Sequence, residues 1–124
     1  MAENVLEKII QKKNLRIKNL KKTISLDSLN KSINTNKLFF NFKQKIESNI
    51  KENKFSIIAE IKKASPSAGV IIKDYNPVKI AYRYKDNKAT CLSVLTEEDY
   101  FLGDLNHISE IKKEIDLPIL CKDF

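Results

Sequence analysis

Three ionisable side chains are set apart by type and spacing: Glu60, Lys62 and Lys122. Side chains alternate along a strand. In Phe55-Ser56-Ile57-Ile58-Ala59-Glu60-Ile61-Lys62 that puts Ile58, Glu60 and Lys62 on one face and Ile57, Ala59 and Ile61 on the other. The second face is wholly apolar and suits packing against helices. The first carries an acid and an amine to the end of the run. Leu117-Pro118-Ile119-Leu120-Cys121-Lys122 repeats the pattern, with Pro118, Leu120 and Lys122 facing one way and an amine again at the tip. A lysine can steer an anion and can supply a proton once its pKa is lowered; a carboxylate beside it can hold it and tune its charge. Burying a charge without a partner is costly, so inward charges on a short strand need a reason. A structural ion pair, or a solvated loop starting at Lys62 and Lys63, is the plain alternative. Spacing alone leaves both open.

The elements that would position these groups follow from periodicity. Residues 1–54 read as a helical, polar extension. Val5, Ile9, Ile10 and Leu15, continued by Leu20, form one stripe, and Ser25-Leu26-Asp27-Ser28-Leu29 offers caps for a short second helix. Leu38, Phe39, Phe42, Ile46 and Ile50 suggest a third helix, with Phe39 and Phe42 as core packing. From residue 55 the pattern changes. The β-branched run 55–62 suits a parallel strand covered on both faces. Residues 64–74, with Ser65, Pro66, Ser67 and Gly69, read as a loop. Asn76-Pro77 caps a helix running toward Asn87, and Thr90-Cys91-Leu92-Ser93-Val94-Leu95 is a second strand. A loop over 96–103 leads to a helix capped by Asp104, with Leu105, Ile108, Ile111 and Ile115 as its stripe; residues 117–122 are a third strand.

Strand, helix, strand, helix, strand is the rhythm of a parallel sheet with crossover helices. An open sheet that binds nucleotides should show a glycine-rich turn after its first strand. The chain has only two glycines, Gly69 and Gly103, and no such turn. The expectation is therefore α/β: the N-terminal part of a (β/α)8 TIM barrel over residues 55–124, after the helical extension of 1–54. In a barrel, Glu60, Lys62 and Lys122 would sit at the C-terminal strand ends, where barrel chemistry is done.

Composition narrows the function classes. An apolar share of 42% and a charged share of 31% over 124 residues fit one modest globular domain. No apolar run approaches a membrane span, and the charged start Met1-Ala2-Glu3-Asn4-Val5-Leu6-Glu7-Lys8 is no signal peptide, so a cytoplasmic protein without a membrane partner is expected. The net charge of +7 comes almost entirely from scattered lysines, the only arginines being Arg16 and Arg83. That is not the arginine-and-aromatic face of a nucleic-acid binder, and no nucleic-acid partner is expected; attraction to a small anionic substrate is compatible with it. Cys91 and Cys121 lie far apart within apolar runs and read as buried, reduced core thiols. His107, the sole histidine, reads as a helix-surface residue.

Three segments then carry a family resemblance. Ile58-Ala59-Glu60-Ile61-Lys62-Lys63-Ala64-Ser65-Pro66-Ser67 closely resembles the first-strand signature of the indole-3-glycerol-phosphate synthases. Cys91-Leu92-Ser93-Val94-Leu95-Thr96 through Tyr100-Phe101-Leu102-Gly103 is similar to that family's second strand and following loop, and Leu117-Pro118-Ile119-Leu120-Cys121-Lys122-Asp123-Phe124 to its third strand. The resemblance implies closure of the indole ring of 1-(2-carboxyphenylamino)-1-deoxyribulose 5-phosphate, with loss of carbon dioxide and water and without metal or organic cofactor. By matching positions, Lys122 is the general acid, Lys62 binds an anionic group of the substrate and assists dehydration, and Glu60 holds both lysines. Ser65 and Pro66 line the pocket near the anthranilate carboxylate, with Phe101 and Phe124 as apolar walls.

The resemblance also implies parts that these residues do not include: a glutamate acting as general base on a later strand, an asparagine and a serine beyond it, and phosphate-gripping loops after the seventh and eighth strands. Three strands of eight are expected to be inactive alone, and to associate through open sheet edges. A complementary half-barrel, or a fused isomerase of the same pathway, is the partner this implies. The alternative reading is a non-catalytic half-barrel that assembles with another chain.

Overall fold

The computed structural model describes residues 4–33 and 39–124. Residues 1–3, and Leu38 at the head of the expected third helix, lie outside the described residues. The chain divides into two compact units, Met1–Leu38 and Phe39–Phe124.

The first unit contains α1 (Val5–Thr23) and α2 (Leu26–Ser32). Each opens on a side-chain cap. Asn4 Oδ1 accepts from the Leu6 N–H at 3.0 Å and Ser25 Oγ from the Ser28 N–H at 3.1 Å, bonds worth about 1 kcal/mol each. No residue of either helix is buried, and Leu15 and Leu20 of the apolar stripe stay more than half exposed.

The second unit runs α3 (Phe42–Lys51), β1 (Ile58–Ile61), β2 (Ala64–Ser65), β3 (Gly69–Val70), α4 (Pro77–Asp86), β4 (Cys91–Leu95), α5 (Asn106–Glu114) and β5 (Ile119–Lys122). The change of pattern at residues 54 and 55 marks where helix gives way to strand, whereas the compact units part at Leu38 and Phe39. Asn49 explains the difference. Its amide donates from α3 to the Phe55 carbonyl, Ser56 Oγ and Thr90 Oγ1, each at 3.2 Å, tying α3 to the start of the sheet.

β1, β4 and β5 form a parallel sheet in that order, with Ala59 opposite Leu92, Ile61 opposite Val94, and Leu92 opposite Ile119. These side chains point to the same face and meet both crossover helices. The core is Ile61, Ala81, Leu92, Val94, Ile111 and Ile115, joined by Ala59, Tyr84 and Ile108 among others. A doubly wound sheet reverses its strand order at a switch point and puts helices on both faces. Sequential strands with both helices on one face are instead the start of a (β/α)8 barrel.

Several local expectations are corrected. Residues 64–74 are not all irregular, because β2 and β3 pair as a short antiparallel hairpin. Phe39 is not core: it precedes α3, is 72% exposed, and lies 4.7 Å from the Lys112 ammonium, which its ring face can attract. His107 lies on α5 as expected but is half-buried rather than freely exposed. Its ring meets Tyr75 edge-on at 5.5 Å, and its Nδ1 and the Tyr75 hydroxyl are buried without a hydrogen-bond partner among the described residues. Burial alone pushes the Tyr75 phenol up to about 12. Cys91 is buried as expected, but Cys121 is only half-buried because β5 is an edge of the sheet. Asp104 Oδ1 accepts from the Asn106 N–H at 2.8 Å, and regular helix begins at Asn106.

Candidate active site

The register places the chemistry. Glu60 lies opposite Ser93, and Leu95 opposite Lys122, so Lys62, one residue past β1, falls in the same row as Leu95 and Lys122. The two lysines therefore flank the tip of β4, with Glu60 one layer below. They come from strands separated by β4, not from neighbouring strands. A carboxylate has two oxygens to share. Glu60 Oε1 meets Lys62 Nζ at 2.9 Å, and Glu60 Oε2 meets Lys122 Nζ at 2.6 Å. Side-chain exposures of 32% for Glu60, 31% for Lys62 and 45% for Lys122 leave the cluster accessible to a ligand.

Its backbone is fixed from two sides. Tyr84 Oη on α4 donates to the Glu60 carbonyl at 2.9 Å. The buried Thr96 donates to the Lys122 carbonyl from its N–H at 3.0 Å and from its hydroxyl at 3.1 Å, extending the β4–β5 ladder past the strand ends.

The Lys122 hydrogen bond, with a further contribution from Lys62, holds the Glu60 carboxyl below its ordinary range against the opposing effect of burial. Glu60 in turn raises the Lys122 ammonium above the usual lysine range. A lysine with a lowered pKa was expected; Lys122 is raised instead, because an anion at hydrogen-bond distance favours the charged amine. The cluster is thus a carboxylate between ammonium groups, suited to binding an anion and to delivering a proton where a bound group weakens the Glu60–Lys122 bond.

The remaining expected site residues are not drawn into this network. Ser65 Oγ accepts from the Ala68 N–H at 3.1 Å and lies 3.4 Å from Ser67 Oγ, committed to the β2–β3 turn that also exposes Pro66. Phe101 is half-buried in the loop after β4, and Phe124 is 76% exposed beyond β5. All four sit on segments leaving the C-terminal ends of the strands: Ser65 and Pro66 after β1, Phe101 after β4 and Phe124 after β5. A cavity of about 400 Å³ lined by Phe40, Gln44, Lys45, Asp116 and Pro118 lies at the opposite, N-terminal ends of the strands, away from this chemistry.

Sequence reasoning missed Tyr84, Thr96 and Glu97. Glu97 is only 3% exposed, and its carboxylate accepts backbone N–H bonds from Asp99 at 3.0 Å, Tyr100 at 2.6 Å and Phe101 at 3.0 Å. In the sequence it opens the acidic run Glu97-Glu98-Asp99, indistinguishable from a solvated loop. Tyr84 carried no signal beyond its place in a helix stripe.

A family model described as indole-3-glycerol phosphate synthase matches residues 6–124. Among similar proteins, the indole-3-glycerol phosphate synthase of Prochlorococcus marinus (strain AS9601) is 48% identical over 126 residues, covering 99% of this chain and 41% of the relative. Those of Clostridium acetobutylicum and Alkaliphilus metalliredigens (strain QYMF) are 46% and 42% identical, each covering 97% of the chain and 45% of the relative. The chain thus spans less than half the length of the curated relatives it matches. With a residue match running through all three strands and both crossover helices, the chain belongs to the indole-3-glycerol phosphate synthase family.

Proposed function

We propose that a protein carrying this chain closes the indole ring of 1-(2-carboxyphenylamino)-1-deoxyribulose 5-phosphate, releasing carbon dioxide and water, as a step of tryptophan biosynthesis in the cytoplasm. The observation that carries the proposal is the Glu60 carboxylate with one oxygen on each of two lysine amines at the strand tips. Lys122 is the general acid that protonates the ribulose carbonyl oxygen as the aromatic carbon attacks. Lys62 binds an anionic group of the substrate and assists the later loss of water. Glu60 positions both. Ser65 and Pro66 border the anthranilate carboxylate, and Phe101 and Phe124 flank the aromatic ring.

The experiment is turnover followed by indole fluorescence in a full-length synthase carrying these residues. Lys122→Met should lower kcat by about 10²–10⁴, the range of a lost general acid. Unchanged kcat in that variant would remove Lys122 from the chemistry. The 124 residues by themselves should give no signal, because three strands cannot enclose the phosphate or supply the base that the mechanism needs.

Partnership with the remaining βα units, in the same chain or in another, is supported by the sheet itself. Among the described residues, β1 and β5 each have one open edge, and Ile58 and Leu120 on the lysine-bearing face remain half exposed.

A further inference from the structure

The loop between β4 and α5 is closed on itself at the tip of the central strand. It leaves at Thr96, whose backbone is bound to Lys122. It returns at Gly103, whose N–H donates to the Glu97 carbonyl at 2.7 Å. A Cβ on Gly103 would stand 2.3 Å from the Leu95 carbonyl oxygen, so both feet of the loop rest on the strand end between the two lysines. Inside it, Leu102 is held at φ +52, a left-handed conformation unfavourable for a leucine. The preceding stretch is held by the Glu97 carboxylate, nearly buried, with one oxygen on the Asp99 N–H and the other on those of Tyr100 and Phe101. Three backbone N–H bonds thus converge on one side chain along the stretch that ends at Phe101.

We infer that Glu97 is a positioning residue of the synthase site: its carboxylate pre-orders the loop of residues 97–103, so that the Phe101 ring is in place for the substrate's aromatic ring before substrate arrives. This rests on the proposed activity and adds a residue that acts through Phe101 without touching the reacting atoms. An ordered wall removes an entropic cost from binding, so the effect falls on affinity. Glutamine at this position would turn one acceptor into an NH₂ group facing N–H donors, freeing part of the loop.

In a full-length synthase carrying these residues, E97Q should raise KM about tenfold while kcat changes less than about twofold. Phe101→Leu should raise KM similarly, and the double variant should be little worse than either, because residues acting as one unit are not additive. A purely structural role would lower the active fraction and therefore kcat, leaving KM alone; that outcome, or effects that multiply, overturns the inference. An active parent with KM unmoved in E97Q sinks only this inference, whereas an inactive parent removes the activity reading and this with it. Should E97Q not fold, amide exchange on the parent decides. The Asp99, Tyr100 and Phe101 amides should be protected before any substrate is added, and protection acquired only on adding substrate would overturn the pre-ordering.

Discussion

At the scale of single residues, the candidate site is built on one carboxylate shared by two amines. Glu60 is depressed and Lys122 raised, each chiefly by the other. A depressed carboxyl adds stability above its unperturbed value of 4.5, and loses it as pH falls through the lower folded value; a raised amine adds stability below its unperturbed 10.5, and loses it as pH rises through the higher folded value. The cluster is therefore intact across the whole neutral range. Glu60→Gln should return the Lys122 pKa toward 10.5, moving the basic limb of a kcat profile to lower pH. A basic limb that stays in place would show that Glu60 does not govern a Lys122 acid of the proposed reaction. Of this arrangement the sequence supplied the three residues, because alternation put Glu60 and Lys62 on one face of their strand and Lys122 at the tip of another; their meeting needed the sheet register. The sequence did not supply Glu97, whose worth lies in three backbone N–H groups that only a folded loop collects.

At the scale of elements, the helix boundaries were legible where a side chain caps them. Asn76 Oδ1 accepts from the Lys79 N–H at 2.9 Å ahead of Pro77, and the pair was readable as a start signal. The end of α4 was less so. Lys88 takes φ +64 there, with its N–H on the Lys85 carbonyl and the Ala89 N–H on that of Tyr84, a left-handed cap usually made by glycine. Lys88→Gly should therefore stabilise the fold by about 1 kcal/mol in denaturant titration; a loss of stability would mean the lysine side chain outweighs its backbone strain. Phe39 was misplaced, and the part-burial of His107 missed, for a related reason. Helical spacing reports a face, but which face another element covers is set by packing.

At the scale of the whole molecule, the three parallel strands leave an accessible charged face and, among the described residues, open edges. The 124 residues alone should self-associate, seen as concentration-dependent species in sedimentation, since unpaired edges and half-exposed Ile58 and Leu120 invite pairing. A monodisperse, cooperatively melting monomer would contradict this. Sequence alone determined the α/β rhythm, the strands and the capped start of α4, because these follow from periods of two and 3.6 and from local turn chemistry, while it left the work of the charged side chains open. Tertiary structure alone decided the rest: that both helices cover one face, that β4 separates the lysine-bearing strands, and that Lys122 is raised rather than lowered. Those outcomes depend on distances between residues remote in the chain, which no local pattern encodes.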